Sequence, residues 1–298
     1  LSQPRGIEKG KLMKIGVVLP HNEIGSDAGA MKAYAQGVEA LGADHLLIYD
    51  HVLGADPDRP GGWKGAYNKD TQFHEPMTTL SYIAGITEQI ELVTTVLILP
   101  QRQTALVAKQ AAQIALLSNN RLRLGVGTGW NEVEYEALNV PFRARGRRQE
   151  EQVELLRQLW SSDSLSFSGE FHEVTLASIN PRPSKPIPIW FGGGAPAVLA
   201  RCAEMGNGWM PLMGPNQAAQ EAVTQLQSLW TEKGKDWNDF GIQAQAQCAG
   251  GTPERWLSHY QRWQAIGATH MAIATHNAAK GSVDEHLSAI ASYMEAIR

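Results

Sequence analysis

Short apolar runs alternate with amphipathic stretches from residue 14 to the end of the chain. Runs rich in Val, Ile and Leu predict strands, and stretches with an apolar position every three or four residues predict helices. Strands are expected over residues 14–19, 44–49, 90–99, 121–126, 189–191, 209–212, 241–248 and 269–275. Helices are expected over residues 30–41, 75–89, 104–117, 131–138, 146–160, 197–205, 216–233, 253–266 and 283–297.

The alternation of these strands and helices predicts the fold. Because a helix after each strand returns the chain to the same end of the sheet, consecutive strands run parallel. Eight such units predict an α/β protein, a (β/α)8 TIM barrel with insertions at its C-terminal face. Residues 13–298 are expected to form this single domain. An open, doubly wound sheet is the structural alternative.

Two irregular stretches interrupt the alternation. Residues 53–73 are polar and rich in Gly and Pro, and a loop of that length indicates a functional segment, a disordered one, or both. Residues 161–188 contain a predicted hairpin over 165–174. The leader, residues 1–12, lacks the apolar core of a secretory signal. Met13 is therefore interpreted as the natural start, and the leader as a vector-derived remnant or a flexible extension.

Composition narrows the function classes. The chain has 298 residues, a formal net charge of −4, 43% hydrophobic and 19% charged residues. This balance favours neither a nucleic acid nor an anionic membrane as a partner. The apolar runs are shorter than the roughly 20 residues of a spanning helix. The two cysteines, Cys202 and Cys248, form no disulfide framework, so we expect buried thiols in a cytoplasmic protein.

In a TIM barrel the functional side chains lie at the C-terminal ends of the strands. Asp50 and His51 end the second strand, where an imidazole beside a carboxylate can act as a general base or orient a ring cofactor. A solvated loop pair is the alternative. Thr94 and Thr95, just before Val96, have adjacent hydroxyls that need hydrogen-bond partners. Either these partners lie within the third strand, or the two residues mark a bulge that turns the backbone toward a ligand.

The fourth strand runs into alternating glycines. Gly125, Gly127 and Gly129 precede Trp130 and a helix start, so bare backbone N–H groups can face a polar or anionic cofactor edge. The dinucleotide-binding pattern is not met, because Glu132 stands where the last glycine is required.

A second glycine run, Gly192 to Gly194, precedes a helix and is either a phosphate-binding nest or a tight turn. Among the acidic residues, Glu134 follows the fourth strand closely enough to face the site. The others are expected to be solvated: Glu132, Glu136, Glu150, Glu151 and Glu154.

Aromatic and imidazole side chains on the loops at this face are candidates for a substrate pocket, although each alone is more typical of surface or packing. No metal site is expected, because the first strand carries one histidine and no second in register. The candidates are His21, Trp63, Phe73, His74 and His276.

These strand ends and their neighbours together resemble a known family. The matching segments are KIGVVLP, LLIYDH, HEPMTTLSYIAGIT, IELVTTVLILPQR, LVAKQAAQIALLSNNRLRLGVGTGWNEVEYEALNVPF, RPSKPIPIWFGGGAP and GNGWMP. They resemble the bacterial-luciferase-like flavin monooxygenase superfamily, and more narrowly its branch of deazaflavin (coenzyme F420)-dependent oxidoreductases. The resemblance covers most of residues 14–211, and GVGTGW with IWFGGG is its most specific part.

The resemblance implies F420 as the cofactor, with FMN as the alternative. It implies that Asp50 contacts the deazaflavin and that His51 lies close to the reacting ring. Thr95 and Val96 fall on a bulge that carries a non-prolyl cis peptide behind the central ring. The other implied contacts are Gly127, Gly129 and Trp130 beside the ring, and Gly192, Gly193 and Gly194 at the tail phosphate. Glu134 is grouped with these cofactor contacts because it closely follows the fourth strand.

The chain also departs from the sugar-phosphate dehydrogenases of this branch. Some of them carry a glutamate where Trp130 stands, so the acid role of that glutamate cannot be transferred to this chain. They also have a tryptophan soon after the Asp-His pair, and Trp63 is a distant substitute. Both departures argue against a sugar-phosphate activity.

Three functions remain open. The first is an F420-dependent oxidoreductase that exchanges a hydride with a small organic substrate, with His51 assisting proton transfer or steadying the ring. The second is an FMN-dependent monooxygenase served by a separate cofactor reductase, with residues 53–73 as a lid. The third is a flavin-binding barrel without catalysis. The resemblance also implies a homodimer, with Ala111, Ile114 and Ala115 as candidate contacts.

Overall fold

The computed structural model describes residues 12–278 and 281–298, so the leader expectation for residues 1–11 lies outside the described part. The strands are β1 (Lys14–Val18), β2 (His45–Ile48), β3 (Glu91–Thr94), β4 (Leu97–Ile98), β5 (Leu122–Gly127), β6 (Leu165–Ser168), β7 (Glu173–Ala177), β8 (Ile189–Gly192), β9 (Gly208–Met210), β10 (Gly241–Gln247) and β11 (His270–Ala274). The helices are α1 (Ala28–Ala40), α2 (Pro76–Ile86), α3 (Thr104–Leu117), α4 (Glu132–Ala137), α5 (Arg145–Ser161), α6 (Pro196–Met205), α7 (Gln217–Thr231), α8 (Pro253–Ile266) and α9 (Val283–Ala296).

All strands except the hairpin β6–β7 form one closed parallel barrel. The neighbours run β3, β2, β1, β11, β10, β9, β8, β5 and β4, and β3 also pairs with β5. Two pairings close the ring: His45 of β2 with Glu91 of β3, and Leu92 of β3 with Leu122 of β5. The (β/α)8 TIM barrel is therefore confirmed, and the open sheet is excluded.

The third barrel position differs from the continuous strand expected over residues 90–99. It is divided into β3 and β4 by a cis peptide bond between Thr95 and Val96. The hydroxyl of Thr94 donates a hydrogen bond of 2.7 Å to the carbonyl of Gly125, which satisfies one of the two threonines within the sheet. The expected strand over 209–212 was also too long, since β9 ends at Met210 and Leu212 is exposed.

The interior of the barrel is a packed core rather than a channel. Side chains alternate along each strand, so one set faces the helices and the other faces the barrel axis. The inward set includes one cluster of buried apolar side chains, which comprises Val18, Leu47, Val93, Trp190, Met210, Ala272 and Ala274.

The N-terminal end of the barrel is closed by a layer that we call the floor: His45, Glu91, Arg123, Trp190 and His270. Arg123 donates a hydrogen bond of 2.9 Å to Glu91 and lies over the Trp190 ring at 4.2 Å. The His270 ring lies 5.4 Å from His45 and 5.0 Å from Trp190. These residues begin or nearly begin their strands, so the floor lies opposite the expected site.

Glycines make the floor possible. A Cβ atom on Gly241 would lie 2.0 Å from the Trp190 ring, and one on Gly208 would lie 2.4 Å from it. A Cβ atom on Gly16 would lie 2.2 Å from the His45 ring. Each glycine therefore leaves the space that a large ring fills, and the floor is densely packed.

Two expectations about helix faces were wrong. Ala111, Ile114 and Ala115 are buried within this chain's own core, so they are not exposed contacts for a second copy. Glu151 is not solvated, because its carboxylate accepts hydrogen bonds from the backbone of Glu170 and Phe171 and lies 2.7 Å from Nδ1 of His172. It therefore holds the turn of the β6–β7 hairpin against α5.

Both cysteines are buried free thiols, as expected. Within residues 12–278 and 281–298, no helix combines the length and the apolar character needed to cross a membrane.

Candidate functional site

The C-terminal end of the barrel, which we call the mouth, is organised by two carboxylates. Asp50 follows β2 and is buried; one oxygen accepts the backbone N–H of Ile98 at 2.8 Å, and the other accepts Nη2 of Arg102 at 2.7 Å. Arg102 also donates to Glu75 at 2.8 Å. Burial raises the pKa of the Asp50 carboxyl, and Arg102 opposes that effect. Asp50 thus fixes the start of β4 and the position of Arg102.

The second carboxylate, Glu134, lies beneath His51. It projects from α4, whose start is capped by the Asn131 side chain, and it is buried. Its oxygens accept the backbone N–H of Val52 at 2.9 Å and the Gln101 amide at 3.2 Å. One oxygen lies 3.4 Å from Nδ1 of His51.

The charge state of Glu134 follows from these contacts. Burial alone would raise its pKa, but His51, Gln101 and the Val52 backbone together hold the pKa below its ordinary value. Glu134 is therefore ionised, and an ionised carboxylate only accepts hydrogen bonds. Nδ1 of His51 faces this carboxylate at 3.4 Å, and Nε2 lies on the other side of the ring.

Four aromatic residues surround the His51 ring, and we call them the aromatic wall: Trp63, Tyr67, Phe73 and Trp130. The ring centroids of Tyr67 and Phe73 lie 3.9 and 4.7 Å from that of His51. Trp130 lies 6.5 Å from His51 and stacks on Trp63 at 5.9 Å. The insertion over residues 53–73 therefore folds over the site.

Tyr67 anchors the insertion, and sequence reasoning missed it. Its hydroxyl accepts the side-chain amide of Asn131 at 2.9 Å, and its carbonyl accepts Nε1 of Trp63 at 2.6 Å. The sequence signal that could have identified Tyr67 is its position as an aromatic residue between Trp63 and Phe73. Its partner Asn131 is 64 residues away in the chain, which no local pattern indicates.

A small cavity of about 40 Å³ lies at the mouth, and its described lining includes neither His51 nor the aromatic wall. The cis peptide Thr95–Val96, which the resemblance implies, forms one side of it. A Cβ atom on Gly127 or Gly192 would lie 2.4 or 2.6 Å from the Val96 side chain. Both glycines are thus required by the close approach of Val96. The cavity is lined by Leu47, Thr95, Val96, Gly192, Met210, Pro211, Leu212, Gln243, Ala244 and Gln245.

The glycine run at β8 leads to an open helix start. Gly193 has φ +114°, which favours glycine, and its N–H donates to the carbonyl of Met210 at 3.2 Å. Gly194 is exposed, and α6 begins two residues later. No described side chain caps this helix start at Ala195, but Pro196 has no N–H and the N–H of Val198 donates to the Ala195 carbonyl at 2.8 Å. The first turn therefore offers an anion fewer N–H groups than a helix start without proline. Gly129 has φ +64° and turns the chain from β5 toward Trp130.

The candidate substrate residues separate into two groups. Phe73 and Trp63 lie in the aromatic wall beside His51. His21 is wholly buried under Phe73, and burial, with nearby His74, lowers its pKa to about 3. The expectation that His21 lines a pocket was therefore wrong; it is a neutral packing residue. His276 is partly buried 5.6 Å from Tyr49, whose hydroxyl accepts the Gln245 amide at 2.6 Å.

The structure thus brings Asp50, His51, Glu134, Trp63, Phe73 and Trp130 together, and places Thr95, Val96, Gly127 and Gly192 around the cavity. Trp130, expected beside the cofactor ring, belongs to the aromatic wall and is not among the described residues that line the cavity. Nowhere in the described ranges do three or more His, Cys, Asp or Glu side chains gather as a metal site would require.

Comparison with known sequences connects this geometry to other proteins. Residues 13–296 match the family described as luciferase-like monooxygenase. A Mycobacterium tuberculosis protein of uncharacterised function is 35% identical over 208 residues, 67% of this chain and 71% of that protein. An F420-dependent glucose-6-phosphate dehydrogenase of Amycolatopsis mediterranei is 32% identical over 187 residues, 61% of this chain and 52% of that enzyme.

Comparison with solved structures shows the same fold. A monooxygenase of Streptomyces bottropensis superposes with a TM-score of 0.79 at 18% identity, covering 96% of this chain and 98% of that one. An F420-dependent secondary alcohol dehydrogenase, solved with an F420–acetone adduct, superposes with a TM-score of 0.79 at 16% identity, covering 96% and 99%.

Proposed function

The chain belongs to the luciferase-like monooxygenase family, and from that premise we propose that it is an F420-dependent oxidoreductase that transfers a hydride between the deazaflavin and a small organic substrate. Membership of the family makes the protein an enzyme. The observation that carries the proposal is the His51–Glu134 pair after β2, at the same end of the barrel as the Thr95–Val96 cis peptide. The relatives named as F420-dependent support it.

We infer that a deazaflavin would lie against Val96 at the mouth. The cavity behind Val96 is kept open by Gly127 and Gly192, where any side chain would collide with Val96. The start of α6, preceded by Gly193 and Gly194, is the place we propose for the anionic tail. When bound, F420 supplies a ring carbon that accepts or donates a hydride.

The protein's own part in the reaction is proton transfer and orientation. Nε2 of His51 takes the proton from a substrate hydroxyl as the hydride leaves, or returns it in the reverse direction. Glu134 keeps the proton on Nδ1 and stabilises the positive charge that His51 gains. Asp50 does not react, because both its oxygens are bonded to Ile98 and Arg102; it positions the strand end that carries His51.

Equilibrium binding of F420 and FMN, measured side by side by calorimetry, tests the proposal. We expect F420 to bind at least tenfold more tightly than FMN. Gly192→Ala should weaken F420 binding, because the new methyl group pushes Val96 into the cavity. Gly214→Ala is the matched control, since no atom lies within 4 Å of a Cβ there. Tighter binding of FMN, or binding of neither compound, would contradict the proposal.

An FMN-dependent monooxygenase is the second candidate. The family's description and the insertion favour it, because the aromatic wall covers His51, whose side chain is only 18% exposed, and so excludes water. Oxygen consumption with reduced FMN from a separate reductase would support this candidate. The third function considered from the sequence, a flavin-binding barrel without catalysis, is not proposed, because the family is one of enzymes.

We further propose a homodimer in the cytoplasm. The exposed apolar side chains of α2 and α3 are Tyr82, Leu106 and Leu117, and these replace the buried residues first expected at the contact. Leu106→Asp should then convert a dimer into a monomer in sedimentation experiments; a wild-type monomer would contradict the proposal.

The two buried free thiols suit a reducing compartment, which supports the proposed location in the cytoplasm.

A further inference from the structure

Trp130 is unusual among the aromatic residues of the mouth because it stays half exposed, at 49%. One face of its ring stacks on Trp63, at an interplanar angle of 20°, and Tyr67 meets it edge-on at 5.4 Å. The exposed part therefore belongs to a ring that its neighbours already hold in place. An aromatic ring that is held by its neighbours and still exposed is suited to stacking against a ligand.

The position of Trp130 separates it from the expected cofactor. The described lining of the cavity at the cis peptide includes Thr95, Val96 and Gly192 but not Trp130. Trp130 instead lies on the side of His51 that the insertion covers, with its ring centroid 6.5 Å from that of His51. A group stacked on Trp130 is therefore next to the proposed proton acceptor.

The charges around the wall disfavour an anionic ligand. Arg102 is neutralised by Asp50 and Glu75. Of the cations on the insertion, Lys69 pairs with Asp56, Arg59 lies 3.7 Å from Glu136, and Lys64 is exposed to solvent. The buried Glu134 beneath His51 adds a negative charge at the centre of the site. A phosphate dianion beside His51 would face the negative charge of Glu134, and no unpaired guanidinium of the described residues named above lies there to offset it.

We propose that the open face of Trp130 binds an uncharged aromatic or apolar group of the substrate, and that Trp130 is a substrate residue rather than a cofactor residue. The assignment rests on the proposed function, because it takes His51 as the reacting position. It names the substrate class as neutral and apolar, and it excludes sugar phosphates.

Binding of 2-naphthol and of glucose 6-phosphate to the full chain, measured by calorimetry, tests this inference. Wild-type protein should bind 2-naphthol and show no binding of glucose 6-phosphate. Trp130→Ala should weaken 2-naphthol binding roughly tenfold, since one aromatic contact and its buried area are lost, and Trp130→Phe should restore most of it. Trp237→Ala is the matched control, because Trp237 also stacks on another ring, Phe240, but far from the mouth. It should leave binding unchanged.

The same variants separate this inference from the proposed function. F420 and FMN titrations of Trp130→Ala should match those of the wild type. If neither cofactor binds but 2-naphthol binding still depends on Trp130, the proposed function fails while the assignment of Trp130 survives. If F420 binds and Trp130→Ala weakens F420 instead of 2-naphthol, or if glucose 6-phosphate binds as well as 2-naphthol, the inference is wrong.

Discussion

The two ends of the barrel use similar residues for different purposes. The floor holds His45, Arg123 and Glu91, and the mouth holds His51, Arg102 and Asp50. At the floor, both His45 ring nitrogens and two Arg123 nitrogens lack a described hydrogen-bond partner, and His45 is wholly buried. At the mouth, Asp50 and Glu134 accept hydrogen bonds on both oxygens. Nδ1 of His51 also lacks a described hydrogen-bond partner, but it faces Glu134 at 3.4 Å, and the His51 side chain is 18% exposed.

The comparison of His45 with His51 shows that residue type alone does not identify a reactive histidine. Burial lowers the pKa of His45 well below its ordinary value, and the Arg123 charge acts in the same direction, so His45 stays neutral and inert. His51 instead faces an ionised carboxylate, Glu134, at 3.4 Å. Solvent access and this charged neighbour are the basis of the chemistry proposed for the mouth, whereas close packing makes the floor structural.

The largest expected effect of breaking the floor comes from Arg123→Ala. The substitution removes a buried cation and leaves both Glu91 and the Trp190 face without their partner, so we expect a loss of about 3–5 kcal/mol in the free energy of unfolding. Chemical denaturation measures it. Arg147→Ala is the control, because its pair with Glu170 is exposed and such pairs contribute at most about 1 kcal/mol. Equal losses in the two variants would contradict the role given to the floor.

A smaller effect is expected from adding one methyl group to the floor. Gly241→Ala places a Cβ atom 2.0 Å from the Trp190 ring, and such overpacking costs about 1–3 kcal/mol. Thermal unfolding should detect this loss, whereas cofactor affinity should not change. Gly192→Ala at the mouth should show the opposite pattern, with weaker cofactor binding as the main effect. If Gly241→Ala weakened cofactor binding more than Gly192→Ala, the division between the two ends would be wrong.

The smallest effect concerns pH. The folded-state pKa of His45 lies well below 6.5. Below pH 6.5, His45 therefore binds a proton in the unfolded chain but not in the folded chain. The free energy of unfolding consequently falls as pH drops through that range. His45→Asn removes this contribution and should flatten the decline by up to about 1.4 kcal/mol per pH unit. Urea titrations between about pH 6.5 and 5 measure the slope. Parallel curves for the two proteins would refute the prediction, whatever their offset.

The sequence predicted the barrel and the main strand ends because these depend on local pattern. Asp50 and His51 end an apolar run, and their position follows from that run alone. The place of Glu134 followed from its closeness to the fourth strand. The apolar run continues across Thr95 and Val96, so the pattern alone predicted one continuous third strand; the resemblance implied the cis peptide there, and the structure has it.

What the sequence could not show depends on contacts distant in the chain. His21 was expected in a pocket, yet it is buried because Phe73, more than fifty residues later, folds over it. Tyr67 was missed because its partner Asn131 lies in another loop. Ala111 and Ile114 were named as interface candidates from the family resemblance alone, and an apolar helix face has the same pattern whether it covers the chain's own barrel or a second subunit.

Single-turnover hydride transfer tests the central claim most directly. F420 is mixed rapidly with a panel of neutral aromatic alcohols, and its reduction is followed by absorbance in the wild type, His51→Ala and His45→Asn. We predict that His51→Ala slows the transfer at least roughly a hundredfold without loss of F420 binding, while His45→Asn transfers at the wild-type rate. If His51→Ala is as fast as the wild type, or if His45→Asn is the slow variant, the assignment of chemistry to the mouth and stability to the floor is wrong.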